Sequence, residues 1–127
     1  MTLFRSMLRA KIHGATVNRA ELLYEGSIAI PLPLLEATDM VANEEVHVWN
    51  VTQGTRFQTY VIPGNFGSDE ISVNGAAAHL VKPGDIVIIA AFCAIPEEQV
   101  RQHTPKVIFV DGGNRVREIR AEHLPSS

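Results

Sequence analysis

The most constraining feature of the sequence is a pair of alternating segments joined by a short polar turn. Residues 45–51 and 56–62 each alternate polar and apolar side chains, the pattern of a strand with one buried face. Between them lies Gly54, which can adopt the positive φ of a tight turn. We therefore predict a β-hairpin. On its second strand, period two separates two faces, one with Arg56, Gln58 and Tyr60 and the other with Phe57, Thr59 and Val61.

The rest of the chain continues this pattern of short extended segments. Further strands are predicted over residues 4–12, 28–30, 71–73, 86–95 and 106–110. Gly14 is expected to end the first strand, and residues 16–23 form either a second extended segment or a helical turn. Short helices are predicted from Pro33, from Pro96, and after Asn74, which is a suitable N-cap. Because no segment has the length of a strand–helix–strand unit, we expect a mainly β fold, a small barrel.

Length and charge restrict the class of protein. At 127 residues with 46% apolar residues, the chain is expected to form a single domain over residues 1–127. A formal net charge of −3 weighs against a nucleic-acid partner, which favours a basic surface. The longest apolar run, residues 86–95, has about half of the roughly 20 residues that a membrane helix needs. The N-terminus has no apolar signal segment, so we expect a cytoplasmic protein with no membrane partner.

The residue types that most often carry cofactor chemistry are sparse. Cys93 is the one cysteine, so no intramolecular disulfide forms, and its apolar neighbours favour a buried side chain over a nucleophile. No phosphate-binding glycine motif, nucleophile elbow or recognisable pyridoxal phosphate site is present. We therefore expect neither a metal nor pyridoxal phosphate. The histidines lack the spacing of metal ligands; they are His13, His47, His79, His103 and His123.

Two Gly–Ser pairs, Gly26–Ser27 and Gly67–Ser68, occur in the chain. A chain of this length contains roughly one such pair by chance, so the dipeptide alone does not indicate a function. The stretches around the first pair are more distinctive. Five stretches stand out: KIH at 11–13, YEGS at 24–27, WNVT at 49–52, Arg56 with Thr59 and Tyr60, and ISVNGAAAH at 71–79.

In this order and spacing, the five stretches resemble the bacterial aspartate 1-decarboxylase family, from about Phe4 to Glu98. The resemblance implies a small six-stranded double-psi β-barrel with a few short helices, assembled as a homotetramer. It also implies that L-aspartate is converted to β-alanine and CO₂, in pantothenate biosynthesis. The family cleaves itself at a Gly–Ser bond, which here implies fragments 1–26 (β chain) and 27–127 (α chain).

By the same resemblance, Ser27 becomes a covalent pyruvoyl group. Decarboxylation leaves a carbanion at Cα that no ordinary side chain can absorb, whereas a pyruvoyl ketone can form an imine with the substrate amine and take up the electrons. To make it, Ser27 Oγ attacks the Gly26 carbonyl. Gly26 is expected to suit this attack because a residue without Cβ can adopt a strained backbone.

The resemblance gives roles to further residues. Thr59 and Asn74 are candidate donors to the oxyanion at Gly26, although a strand residue and a helix N-cap are the alternatives. Arg56 suits a substrate carboxylate, and Lys11 offers a point charge for another group or for the imine site. Tyr60, which holds a proton at neutral pH, is the candidate donor to Cα. The other candidate substrate contacts are Trp49, Thr59, Gly75, Ala76 and Ala77, for which a core position (Trp49) and a tightly packed helix (Gly75 to Ala77) are the alternatives.

Two other functions remain open from the sequence. One is a decarboxylase for another acidic amino acid such as glutamate, since pocket length cannot be read from the residues. The other is a non-catalytic small β-barrel that binds a ligand or a partner.

Overall fold

A computed structural model describes residues 1–122, which contain eight strands, one α-helix and two 3₁₀ helices. The strands are β1 (Phe4–Glu21), β2 (Ser27–Ile30), β3 (Glu45–Asn50), β4 (Arg56–Pro63), β5 (Ile71–Asn74), β6 (Ile86–Pro96), β7 (Lys106–Val110) and β8 (Val116–Ile119). The helix α1 spans Leu32–Thr38, and the 3₁₀ helices span Gly75–Leu80 and Glu97–Gln102. The predicted hairpin is confirmed as β3 and β4, and α1 begins next to Pro33 as expected.

Six of the strands close into a barrel. Their order is β5-β2-β4-β3-β6-β1, and β1 pairs again with β5 to complete the ring. The β1–β5 and β2–β4 pairs are parallel, whereas the remaining pairs of the ring are antiparallel. β7 and β8 extend the sheet beside β1, outside the ring. The expected small double-psi β-barrel is thus confirmed.

Branched aliphatic side chains fill the barrel interior. Each strand contributes alternate residues, as period two requires, and their neighbours face outward. Fully buried examples are Ile12, Val17, Ile28, Ile30, Val46, Val48, Val61, Ile71, Val73 and Ile89. Burial of each such side chain stabilises the fold by about 1.5–3 kcal/mol. The alternation also decides which residues reach the outer surface, and the predicted site residues Ser27, Trp49, Arg56, Tyr60 and Asn74 all neighbour inward-facing positions.

The first strand is longer than predicted. β1 continues through Gly14 to Glu21, so the expected strand end is wrong. Of the two alternatives for residues 16–23, the extended segment is confirmed as far as Glu21 and the helical turn is wrong. Gly14 has a φ of +85° and lies where the register with β6 shifts, between His13 and Ala15. A glycine at such a bulge bends a strand without ending it, which lets β1 wrap around the barrel.

The short helices also differ in type. The segment after Asn74 is a 3₁₀ helix, and Asn74 occupies its N-cap position as predicted, but its side chain makes no capping hydrogen bond. The segment after Pro96 is likewise a 3₁₀ helix. Strand β8 was not predicted, and the described chain continues beyond it to residue 122. There, the Arg120 guanidinium packs 3.8 Å from the Phe109 ring centroid. Residues 123–127, including His123, lie outside the described residues.

No helix within residues 1–122 is both long enough and apolar enough to span a bilayer.

Candidate active site

The Gly26–Ser27 bond lies where an exposed loop enters the barrel. Gly26 is exposed, whereas Ser27, the first residue of β2, is only 3% exposed. Ser27 pairs with Asn74, the last residue of β5. Since Ile28 faces the core, the Ser27 side chain points to the outer face of the barrel. The bond is therefore open to solvent on one side and held by the sheet on the other.

A short chain of hydrogen bonds ends at the Ser27 hydroxyl. Asn74 Nδ2 donates to Ser27 Oγ at 3.0 Å, and Ser27 Oγ donates to the Glu25 carbonyl at 3.3 Å. Ser72 Oγ in turn donates to Asn74 Oδ1 at 2.8 Å. The sequence reasoning missed Ser72. Its signal was the S-x-N spacing within β5, which puts both polar side chains on the same face of a strand.

The glycine that the geometry requires is Gly75 rather than Gly26. Gly75 has a φ of +76°, and a Cβ there would lie 2.6 Å from Gly26 Cα. Gly26 has no positive φ, and a Cβ there would come no closer than 3.9 Å, to the Asn74 carbonyl oxygen. Gly26 is therefore not in the left-handed backbone region that a glycine allows, and its suitability for attack by Ser27 stays a prediction. The close approach of two backbones excludes every other side chain at position 75.

Tyr60 lies beside Ser27. β2 and β4 are parallel with Ile28 opposite Val61, so one residue back brings Ser27 next to Tyr60, at a strand spacing of about 5 Å. The Tyr60 side chain is 37% exposed, and its hydroxyl makes no hydrogen bond among residues 1–122. Thr59 alternates to the opposite face and pairs with Val46, without a hydrogen bond to Gly26 in the described chain. Its role as an oxyanion donor stays a prediction.

Arg56 lies at the far end of the same strand. Tyr60 is four positions further along, about 13 Å on an extended chain. Arg56 pairs with Trp49 across the hairpin, and its guanidinium carbon is 5.1 Å from the Trp49 ring centroid. Trp49 is half-buried on the outer face, so the core interpretation of this residue is wrong. Arg56 forms no ion pair within the described residues, which leaves its charge available to a ligand.

Lys11 is further away. It is 9% exposed on β1, ten residues before Glu21, which pairs with Asn74. Ten residues correspond to roughly 33 Å along the strand, which is an upper limit for the separation because β1 bends at Gly14. Lys11 Nζ pairs with Glu122 Oε1 at 2.8 Å. Within one chain, therefore, Ser27, Asn74, Gly75 and Tyr60 come together, while Lys11 does not join them.

His13, two residues after Lys11, carries a buried Nδ1 that has no hydrogen-bond partner in the described chain. Burial lowers the pKa of His13, and the positive charge of Lys11 lowers it further. The ring packs against Phe109 with 5.1 Å between centroids. In the described part of the chain, no group of three or more His, Cys, Asp or Glu side chains is arranged to hold a metal ion.

A cavity of about 400 Å³ opens beside the Gly26–Ser27 bond. Tyr24, Ala29, Ser72 and Asn74 line it, but Lys11, Arg56 and Tyr60 do not. An ion pair between Arg19 and Glu70, 3.0 Å long, lies at the same cavity. Of the predicted backbone contacts after Gly75, Ala76 is exposed and Ala77 is half-buried.

Comparison with known proteins decides the family. A family model described as aspartate decarboxylase matches residues 3–117. This chain belongs to the aspartate decarboxylase family. A protein named aspartate 1-decarboxylase from Legionella pneumophila (strain Lens) is 56% identical over 121 residues, which are 95% of this chain and 91% of that protein. Proteins of the same name from Leptothrix cholodnii and Myxococcus xanthus are each 51% identical, over 94% and 95% of this chain and 92% and 93% of their own lengths.

Family membership makes the chain an enzyme, a carbon–carbon lyase, and this contradicts the alternative of a non-catalytic binding barrel. The residues at the Gly26–Ser27 bond also suit a cofactor made from the chain itself. A buried serine follows the exposed Gly26, an amide nitrogen donates a hydrogen bond to the serine hydroxyl, and Gly75 leaves space for the backbone.

Proposed function

We propose that the chain decarboxylates L-aspartate to β-alanine and CO₂ with a pyruvoyl group derived from Ser27. The observation that carries this proposal is the hydrogen bond from Asn74 to the buried Ser27 hydroxyl, at the Gly–Ser bond of a family member. The names of the relatives support aspartate as the substrate. Supply of β-alanine to pantothenate biosynthesis and a cytoplasmic location stay predictions.

Self-cleavage begins when Ser27 Oγ attacks the Gly26 carbonyl carbon. The C–N bond breaks, the Ser27 nitrogen takes the hydroxyl proton, and an ester joins Gly26 to Ser27. Loss of the Ser27 Cα proton then expels the Gly26 carboxylate from Cβ and leaves dehydroalanine. Its imine tautomer reacts with water, which releases ammonia and leaves the pyruvoyl ketone. Residues 1–26 end in a carboxylate, and residues 27–127 begin without an amine.

The position of Asn74 suits these reaction steps, and the amino-acid sequence did not indicate that position. Its Nδ2 contacts Oγ itself, the atom that becomes the leaving oxygen of the ester. A donor at that position stabilises negative charge as the Cβ–Oγ bond breaks, as oxyanion donors do elsewhere. Thr59 and Asn74 are also retained as candidate donors to the Gly26 carbonyl oxygen.

When formed, the pyruvoyl group supplies an electron sink for decarboxylation of the bound amino acid. Arg56 then binds a substrate carboxylate with its planar guanidinium, and Trp49 holds that guanidinium by stacking. Lys11 binds a second charged group of the substrate. The hydroxyl of Tyr60, next to position 27, donates the proton to Cα. Backbone N–H groups of Gly75, Ala76 and Ala77, together with Thr59, complete the proposed substrate contacts.

Assembly into a homotetramer would complete the site with residues from a neighbouring copy. The distances of Arg56 and Lys11 from Ser27 along one chain support a site shared between copies, in which these residues serve a neighbouring Ser27. Exposed apolar side chains next to the cleavage bond, Leu23 and Tyr24, also suit burial in an assembly.

The test is CO₂ release by purified protein supplied with L-aspartate or L-glutamate, with Ser27→Ala as the control. We expect release from aspartate by the natural chain and none by Ser27→Ala. Faster release from glutamate would favour the alternative substrate. Equal release by the Ser27→Ala variant would reject the pyruvoyl proposal.

A further inference from the structure

The hydrogen-bond chain that ends at Ser27 includes Ser72, a residue to which the proposed self-cleavage steps give no role. Ser72 and Asn74 lie on the same outward face of β5, and Ser72 pairs with Ala29 while Asn74 pairs with Ser27. Ser72 Oγ is 2.8 Å from Asn74 Oδ1 and donates to it. Within the described residues, no hydrogen bond joins Ser72 to Ser27 directly. Ser72 is half-buried and lines the cavity beside the Gly26–Ser27 bond.

The consequence of this contact lies in the chemistry of the amide. The two ends of an asparagine side chain have opposite hydrogen-bonding roles, since Oδ1 accepts and Nδ2 donates. Without a fixed partner, the amide can turn by 180° and present Oδ1 to Ser27 in place of Nδ2. A serine hydroxyl that donates to Oδ1 holds the orientation in which Nδ2 faces Ser27 Oγ.

We infer that Ser72 is a positioning residue for self-cleavage, which acts through Asn74 by fixing the orientation of its amide. This inference rests on the proposed conversion of Ser27 and adds to it the residue that prepares the donor. With Nδ2 directed at Oγ, the serine oxygen keeps a lone pair for attack on Gly26 and gains a donor for its departure from Cβ. With the amide reversed, Oδ1 would meet the leaving oxygen and oppose the developing negative charge.

The experiment measures the rate of cleavage of freshly purified precursor by intact mass spectrometry. The variants are Ser72→Ala, Ser72→Thr, Asn74→Ala and the double variant Ser72→Ala/Asn74→Ala. The matched control is Ser68→Ala, which removes a serine hydroxyl from the lining of the same cavity. Each variant is also unfolded in urea, so that a change in cleavage rate can be compared with a change in stability.

We expect Ser72→Ala to cleave about fivefold more slowly, the effect of one neutral hydrogen bond. Ser72→Thr, which keeps the hydroxyl, and Ser68→Ala should cleave within about twofold of the natural chain. In the Asn74→Ala background, the loss of Ser72 should make no further difference, because two residues that act as one unit are not additive.

Two results would overturn the inference while leaving the proposed function intact: unchanged cleavage in Ser72→Ala, or an equal slowing by Ser72→Ala with and without Asn74. Both would show that Ser72 does not act through the amide. Absence of cleavage in the natural chain would instead reject self-cleavage itself, and the inference with it. The two failures are therefore distinguishable.

Discussion

Position 75 can hold only glycine, because any Cβ there would collide with the backbone of Gly26. Its positive φ and its closeness to Gly26 Cα are properties of two backbones that meet, and only a residue without Cβ allows both. The sequence contained the glycine but not the reason for it. Because the contact joins residues 49 positions apart, it becomes visible only when β2 and β5 are paired.

The first prediction concerns this glycine. Gly75→Ala should destabilise the fold by about 1–3 kcal/mol and prevent cleavage, because Ala is strained at this φ and displaces the Gly26 backbone. Gly112→Ala is the matched control, since a Cβ there meets open space. Urea unfolding and intact mass spectrometry measure the two effects. Normal cleavage in Gly75→Ala would mean that the two backbones do not approach in this way.

The second prediction separates cleavage from turnover. Tyr60→Phe removes a hydroxyl that has no partner among the described residues, so the fold and the cleavage of Gly26–Ser27 should be preserved. Decarboxylation should slow by about 10²–10⁴-fold if Tyr60 donates the proton to Cα. The fraction cleaved serves as the internal control for the rate of CO₂ release. Normal turnover would remove Tyr60 from this role.

At the scale of elements, the strands set by local residue pattern were predicted correctly, whereas the features set by pairing between distant segments were not. The hairpin, β2, β5, β6 and β7 follow from alternation and turn residues, which act over a few positions. The continuation of β1 through Gly14 depends on its register with β6. The 3₁₀ form of Gly75–Leu80 depends on the space that the barrel strands leave for this segment. Period two also assigned Arg56 and Tyr60 to one face, but no local pattern gives the separation of Lys11 from Ser27.

The turns at the hairpin end are joined by one buried carboxylate. Asp85 accepts hydrogen bonds from Asn50 Nδ2 and the Lys82 amide, both at 2.8 Å, and from Gln53 Nε2. Asn50 Nδ2 also donates to the Leu80 carbonyl, so the network links the hairpin to the end of the Gly75–Leu80 helix. Burial raises the pKa of Asp85, but the hydrogen bonds from Asn50, Lys82 and Gln53 lower it more, and it lies below its ordinary value.

The third prediction follows from this network. Asp85→Ala leaves three donors without their acceptor and should cost about 1–3 kcal/mol of unfolding free energy at neutral pH. A depressed carboxyl pKa contributes stability above its unfolded value of about 3.9 and loses it as the pH falls through the folded value. The difference between the natural chain and the variant should therefore shrink below about pH 4.

Urea unfolding between about pH 6 and about pH 3 measures this dependence. Glu36→Gln, at an exposed position of α1, is the control and should follow the natural chain. A difference that stays constant over the whole range would show that the ionised carboxylate of Asp85 is not the stabilising species.

At the scale of the whole molecule, one chain holds the parts of the site at separate positions. The Gly26–Ser27 bond lies beside the pairing of β2 with β5, and Arg56 and Trp49 lie at the hairpin end. Lys11, on β1, pairs with Glu122. Pairing of Lys11 with a carboxylate of its own chain means that a substrate must replace Glu122 to use this charge. Assembly of copies offers a way to unite these parts without changing the barrel.

The fourth prediction tests that assembly. Ser27→Ala lacks the proposed cofactor precursor and Arg56→Ala lacks the proposed carboxylate clamp, so each variant should be inactive alone. Coexpressed with different tags and purified through both, they should recover decarboxylation well above the sum of the two, because some sites then combine an intact Ser27 with a neighbour's Arg56. Mixed assemblies without activity would mean that both residues must come from one chain.

The mass of the purified natural chain is the most direct test of cleavage at Gly26–Ser27 and conversion of Ser27 to a pyruvoyl group. After prolonged warming, intact mass spectrometry should find two fragments, residues 1–26 and residues 27–127, with the second blocked at its N-terminus against sequencing. Hydroxylamine or another carbonyl reagent should add to the second fragment alone. A single intact 127-residue chain, or a second fragment that begins with an ordinary serine amine, would contradict the conversion of Ser27.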